Sequence, residues 1–323
     1  MTPDVHISIV SYNTAELLDN CLTALESHES VATFTVTVID NGSRDGTVDM
    51  VRSRHPNVAV IESGANLGYG RANNFALLNS DARYYLILNS DTIVHDGALD
   101  AMVEALDTHP EYGAVGGALL NPDGSPQTTW AAGKLDLAAV LLEQTYLAKL
   151  FPRSRRFGAY FEGWADRTKD AAIEQSCGAC MMVRADLFNQ LGGFDPRIFM
   201  YAEDTDLSKR IRDRGLGIAY VASARVTHHH GQSSGGAIRP RMIFEHNRSR
   251  IYYFLKHESP AVATTARAIM VAGALLRGLL WLGASVTGRR GALANASSFF
   301  VVAAQTALVR VSVPRRKGGE QCA

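Results

Sequence analysis

The sequence predicts an α/β protein built on a mostly parallel sheet flanked by helices, followed by a helical, basic extension. Three observations predict it. The first ~120 residues alternate short apolar runs with patterns of helical period, as strand–helix repeats do. The polar residues Asn, Asp, Ser and Gly gather just after the apolar runs. Charge is unevenly shared: from Ile238 onward there are 13 Lys and Arg against 3 Asp and Glu, in a chain whose totals are 32 and 32. The body is therefore acidic and the tail basic, which implies two surfaces with two tasks.

Taken in order, "HISIVSY" reads as the first strand. The helix after it carries Leu17, Leu18, Cys21, Leu22 and Leu25 at helical spacing, with Asn13 or Thr14 as its cap. "FTVTVID" is the second strand and "DGTVDMVRSRH" the next helix. "VAVIES" is the third strand, and "GANLGYGRANNFALLNS" is a loop running into a helix. "YYLILNSD" is the fourth strand, followed by the helix "HDGALDAMVEALDTH" and the strand "GAVGGALL". Apolar parallel strands of this kind are covered on both faces, and ligands bind at their carboxyl ends. Four polar clusters fall there: Tyr12-Asn13, Asp40 to Ser43, Asn66 to Asn74, and Asn89-Ser90-Asp91. Each alone reads as turn chemistry. Together they predict one binding rim. Residues 122–175 are less regular and read either as an acceptor-lining layer or as plain cover.

The length of 323 residues suits one large or two ordinary domains, expected over 1–237 and 238–323. Four cysteines are too few for a disulfide scaffold, and Cys177-x-x-Cys180 lacks the partners of a zinc site, so buried thiols in a reducing cytoplasm are expected. "MTPDVHISIV" has neither the basic start nor the apolar run of a signal peptide. The uncharged run from Gly291 to Val309 is too polar for a membrane span. A dehydrogenase is excluded, because G-x-G-x-x-G does not follow the first strand. The acidic body argues against nucleic acid as a partner.

The densest stretch lies further on. Glu203, Asp204 and Asp206 open a helix, where the macrodipole favours carboxylates, but three acids exceed the needs of a cap. A strand then ends in His228-His229-His230.

These pieces are similar, in order and spacing, to the family 2 inverting glycosyltransferases of GT-A fold, above all their bacterial rhamnosyltransferase-like branch. The residues that carry the resemblance are "SIVSYN", "VIDNGSRDGT", "NLGYGRANN", "LILNSD", "GGFDPRIFMYAEDTDLSKRIRDRG" and "VTHHHGQSS". It implies that Asp40 holds the pyrimidine base of a sugar nucleotide, with Tyr12 and Asn13 beside base or ribose. It implies that Asn66, Gly68 and Arg71 belong to the loop packed on the nucleotide. Asn89-Ser90-Asp91 resembles the DxD-type motif, with Asn89 where a first Asp is common and Asp91 as ligand to Mg²⁺ or Mn²⁺. His228, or else His230, completes the metal site, and Ser233 touches phosphate. Asp204 matches the base that takes the acceptor's proton, with Glu203 beside it as the alternative; Asp206 braces the helix. The implied reaction is metal-dependent transfer of a sugar, L-rhamnose from dTDP-rhamnose as first choice, onto a polyprenyl-diphosphate-linked saccharide in cell-wall or surface-polysaccharide assembly. A UDP-linked galactofuranose or hexose donor, or a non-catalytic sugar-nucleotide-binding relative, stands as the alternative. The basic, apolar tail suits an anionic bilayer, so a peripheral protein at the cytoplasmic face of the cell membrane is expected, with a homo-oligomer left open.

Overall fold

The computed structural model describes residues 2–127, 132–229 and 240–313. The chain divides into two compact units, Met1–Leu135 with Tyr146–Ala237, and Asp136–Thr145 with Ile238–Ala323.

The first unit is α/β, as the alternating pattern predicts. Its early elements are β1 (Val5–Ser11), α1 (Ala15–Glu26), β2 (Phe34–Asp40), α2 (Thr47–Arg54), β3 (Ala59–Glu62), α3 (Tyr69–Leu77), β4 (Tyr84–Asn89), β5 (Thr92–Val94), α4 (Ala98–Thr108) and β6 (Tyr112–Leu120). After α5 (Leu137–Gln144), which belongs to the second unit, come α6 (Leu147–Leu150), β7 (Ala171–Ile173), β8 (Cys180–Arg184), α7 (Ala185–Gln190), α8 (Glu203–Arg212) and β9 (Gly217–His228). The sheet runs β3-β2-β1-β4-β8-β6-β9-β5, with β7 on β9. The run from β3 to β4 is parallel throughout. Beyond it the sheet is mixed, because β8 inserts antiparallel between β4 and β6. The sequence reading passed over β8, whose "CMMVR" lacks flanking turn signals.

Burial follows the pattern. Ile7, Ile9, Leu86, Ile87 and Leu88 are fully enclosed, as strands covered on both faces must be. On α1, Leu18, Cys21, Leu22 and Leu25 bury one stripe, while Leu17 stays half-exposed. The expected cap is corrected. Thr14 stands at the cap position, but its hydroxyl bonds those of Ser11 and Ser90, each at 2.9 Å. Asp45, from the loop after β2, accepts from the Ala15 N–H at 2.9 Å instead. Two strand-end loops are thus sewn to one helix start. Cys21, Cys177 and Cys180 are free thiols, and burial pushes each up to about 12, so they stay protonated and inert.

The second unit is helical: α5 with α9 (Pro240–His257), α10 (Pro260–Val286) and α11 (Ala292–Leu308). Asp136 caps α5 through the Ala139 N–H, and Ser259 caps α10 with Pro260 in its first turn. The buried Arg250 pairs with Glu143 at 2.7 Å, and Arg277 donates to the Glu143 carbonyl at 3.0 Å. Among the described residues one helix, α10, is long and apolar enough to cross a membrane. The uncharged run near the end folds as α11, which is shorter at 17 residues.

Candidate active site

The rim is set by register. In the parallel half Ser11 pairs with Asp40, Val10 with Asn89 and Asp40 with Glu62, so four strands end level. The loops leaving β1, β2 and β3 line a cleft of about 790 Å³ that includes Tyr12, Asn13, Asp40, Arg44, Glu62 and Asn66.

Within it, Asp40 turns one carboxylate oxygen to the N–H groups of Gly42 and Ser43, at 3.2 and 3.1 Å. Its other oxygen, Oδ1, is buried with no hydrogen-bond partner among the described residues. A buried carboxylate oxygen left unmatched costs free energy unless a ligand donates to it. Tyr12 is 49% exposed and presents a ring face to the cleft. Asn13, at φ +54°, buckles the two loops together: its N–H reaches Ser43 Oγ, and its Oδ1 accepts from the Arg44 N–H. Asn66 braces its own loop, accepting from Gly68 N–H at 3.0 Å and Asn41 Nδ2 at 3.1 Å. Arg71 is exposed in the first turn of α3, outside the residues lining the cleft. Arg44 and Glu62 were missed by sequence reading, although the strand-end rule that found Asp40 applies equally to Glu62.

The second cluster joins two distant segments. Thr92 on β5 pairs with His228 on β9, and the N–H of His229 donates to the Asp91 carbonyl at 2.8 Å. That pairing sets His228 Nε2 3.3 Å from Asp91 Oδ1 and 3.3 Å from Asn89 Nδ2. Asp91, Ser90 and His228 are all buried. Gln127, unnoticed in the sequence, bonds the His228 ring at 3.0 Å and its carbonyl at 2.6 Å. His229 lines a neighbouring cavity with Leu17, Asn20, Thr23 and Asp91. His230 and Ser233 lie outside the described residues.

The third cluster opens α8. Tyr201 and Ala202 both have left-handed backbones, at φ +65° and +66°. Two such non-glycine residues cost roughly 1–3 kcal/mol each and persist only where the surroundings fix them. Here the leader is clamped. Tyr69 N–H donates to the Phe199 carbonyl at 2.9 Å, and a Cβ on Gly68 would lie 2.1 Å from that same oxygen. Only glycine fits, so Gly68 serves the join between loop and α8 leader. Asp204 Oδ2 accepts from the Gly178 N–H at 3.0 Å and Oδ1 from the Thr205 N–H at 2.7 Å. The Gly178 carbonyl in turn accepts from the Tyr69 hydroxyl at 2.7 Å, so one residue ties Tyr69 to Asp204. Burial raises Asp204 above its ordinary range, and these N–H donors hold the rise in check. For Glu203, burial and then the Asp204 charge outweigh the backbone N–H that opposes them and push it up to about 8, and its Oε2 has no hydrogen-bond partner among the described residues. Asp206 pairs with Arg210 Nε at 2.8 Å, while Arg210 also donates to the carbonyls of Leu191 and Gly193. It braces the helix, as the sequence suggested.

The site thus combines a level rim, an orphaned carboxylate oxygen, an acid–imidazole pair and a clamped acidic helix. The model of the glycosyl transferase family 2 matches residues 7–192. The chain belongs to glycosyl transferase family 2. Within it the chain falls in the rhamnosyltransferase branch. It is 31% identical over 271 residues to the N-acetylglucosaminyl-diphospho-decaprenol L-rhamnosyltransferase of Mycobacterium tuberculosis, covering 80% of this chain and 86% of that one. It is 23% identical to the rhamnosyltransferase WbbL of Escherichia coli, over 71% of this chain and 86% of that one. The GT-A fold is matched by the mannosyltransferase PcManGT of Pyrobaculum calidifontis, solved with GDP-Man and Mn²⁺, at TM-score 0.54 and 16% identity, covering 95% of this chain and 88% of that one. The chain is thus a glycosyltransferase.

The Glu203 environment makes a prediction about stability. A carboxyl at about 8 when folded and about 4.5 when unfolded keeps its proton longer in the native state. Its contribution is full below pH 4.5 and is lost as pH rises through about 8. Glu203→Gln should therefore match the wild type in denaturant midpoint near pH 4.5 and exceed it at pH 8. Equal pH dependence of the two proteins in guanidinium titrations would refute the assignment.

Proposed function

We propose that the protein transfers L-rhamnose from dTDP-L-rhamnose to a saccharide carried on a polyprenyl diphosphate, inverting the anomeric centre. The observation that carries the reaction type is Asp204: a half-buried carboxylate oriented by two backbone N–H groups, at the head of a strained and clamped helix. The sugar and the lipid-linked acceptor are inferred from the Mycobacterium relative's activity.

In this reading the cleft takes the nucleotide. Asp40 Oδ1 accepts from the imide N–H of the pyrimidine, which supplies the donor it lacks. Tyr12 packs on the base or ribose. Asp204 accepts the proton of the acceptor hydroxyl as that oxygen attacks the anomeric carbon. The bond from that carbon to the β-phosphate oxygen breaks with its electron pair on the diphosphate, and attack from the opposite face inverts the centre. Glu203, next to it in the chain and holding its proton at neutral pH, would donate a hydrogen bond to the acceptor without competing for the proton.

The residues fit a divalent cation. A carboxylate oxygen and an imidazole nitrogen converge at 3.3 Å, a donor pair that suits Mg²⁺ or, with the nitrogen, Mn²⁺. Among the described residues no group of three His, Cys, Asp or Glu surrounds the point, so the diphosphate and water supply the remaining ligands. Asp91 and His228 would hold the ion, which neutralises charge developing on the leaving diphosphate.

We assign the second unit to the membrane surface. Leu275, Leu276, Leu279, Leu280 and Leu282 of α10 are exposed, in a region rich in Arg. Arg289 stacks on Trp281 at 4.8 Å, a pair that suits the headgroup zone.

Four outcomes test this. Asp204→Asn should lower kcat by about 10²–10⁴-fold with dTDP binding nearly unchanged; full turnover would end its assignment as base. In the wild type, activity should fall as pH drops through the raised carboxyl value of Asp204, because the protonated form accepts nothing. Asp91→Ala should weaken dTDP binding in the presence of Mn²⁺, and an unchanged calorimetric affinity would argue against the metal site. Full-length protein carrying Leu279→Glu and Leu280→Glu should lose co-sedimentation with phosphatidylglycerol liposomes, and retention equal to the wild type would remove the membrane assignment.

A further inference from the structure

The buried Gln127 gives the metal-facing histidine a definite chemical form. Its backbone is fixed by an N–H bond to the Leu119 carbonyl at 2.9 Å. Its side chain meets His228 twice, at the backbone oxygen at 2.6 Å and at ring Nδ1 at 3.0 Å. A backbone oxygen only accepts, so the amide NH₂ of Gln127 must point at it. The amide oxygen therefore faces Nδ1, and since a carbonyl oxygen also only accepts, Nδ1 carries a hydrogen. In the neutral ring the lone pair then sits on Nε2, the atom turned toward Asp91 Oδ1 and Asn89 Nδ2. The opposite tautomer would set two lone pairs against each other at the 3.0 Å contact.

We propose that Gln127 is a positioning residue that locks His228 as the Nδ1–H tautomer and so presents Nε2, with Asp91, to a divalent cation. The lock rests on the metal reading of that pair. It needs no contact between Gln127 and the ion. Outer partners of this kind orient metal-binding imidazoles, and their loss commonly weakens the metal by about 10–100-fold. Asn89 and the β5–β9 pairing set where the ring lies; Gln127 sets which nitrogen is bare.

The test uses the full-length protein without added metal. Long-range ¹H–¹⁵N correlation of the histidine rings, with His228 assigned by its loss in His228→Gln, reads the tautomer directly. The wild type should show Nδ1 protonated and Nε2 bare. Gln127→Leu removes the oxygen acceptor opposite Nδ1 and should mix the tautomers. Mn²⁺ titrated in the presence of dTDP and followed by electron paramagnetic resonance should bind Gln127→Leu about 10–100-fold more weakly than the wild type. An Nε2–H ring in the wild type overturns the lock, and that measurement needs no variant to fold. Wild-type Mn²⁺ affinity in Gln127→Leu also overturns it. An Nδ1–H ring combined with Mn²⁺ affinity unchanged in His228→Gln overturns the metal reading instead.

Discussion

The rim depends on one constraint, the register of parallel strands that must all end at the same height. With Ser11 opposite Asp40, Val10 opposite Asn89 and Asp40 opposite Glu62, the polar residue after each apolar run is delivered to one edge. A slip of one residue in any strand would turn its buried side chains to the opposite face and carry its acid away from the edge. The enclosed Ile7, Ile9, Leu86 and Leu88 oppose that slip, since each would have to be repacked in a close-packed layer on the other face. The core thus positions the chemistry without touching it. The mixed half of the sheet extends the same rigidity: β9, held parallel to β6 and antiparallel to β5, carries His228 back to Asp91 across a wide gap in sequence.

Two neighbouring carboxyls on α8 show how environment separates like groups. Asp204 is half-buried and Glu203 buried, and Asp204 has two peptide N–H donors whereas Glu203 Oε2 has none among the described residues. The first is therefore kept nearer its ordinary range, and the second is pushed up to about 8. The two environments push the pair's proton affinities apart, a separation that, on the proposed reaction, suits one as proton acceptor and the other as donor. The strained Tyr201–Ala202 leader is what aims both, and the approach of Gly68 to Phe199 is what holds the leader. Loop and α8 leader are built as one unit, which explains why the glycine of "NLGYG" tolerates no side chain.

Much of this was legible in the sequence, because period and strand-end polarity are local signals. The parallel half, the α1 stripe, the rim clusters and the Asp206 brace all follow from spacing. Other features were not, and each for a physical reason. Asp45 closes α1 from another loop, and no cap pattern reveals an acceptor thirty residues away. Gln127 lies in an irregular stretch, and its value comes only from the return of β9. Asn13, Asn66 and Gly68 resemble ligand contacts by type, yet their polar atoms or their missing Cβ serve the loops first. Arg71 lay on the correct helix, but its side chain is exposed away from the residues lining the cleft. Sequence located the neighbourhood; tertiary hydrogen bonds decided which members face inward.

Asn89 then acquires a reason. On the metal reading, a second carboxylate at this position would add negative charge beside Asp91 and would have no hydrogen to offer the imidazole. The amide does, and its Nδ2 lies 3.3 Å from Nε2. With Gln127 holding Nδ1 from behind and Asn89 satisfying Nε2 from in front, the ring is oriented and its lone pair matched before any ion is present. A cation must displace that amide hydrogen bond to reach the nitrogen, and a single carboxylate gives it little reason to do so alone. A cation already bound to a diphosphate brings the missing oxygen ligands with it. The arrangement therefore favours an ion that enters with the nucleotide and leaves with it, so that the strand ending in Asn89-Ser90-Asp91 supplies direction more than affinity.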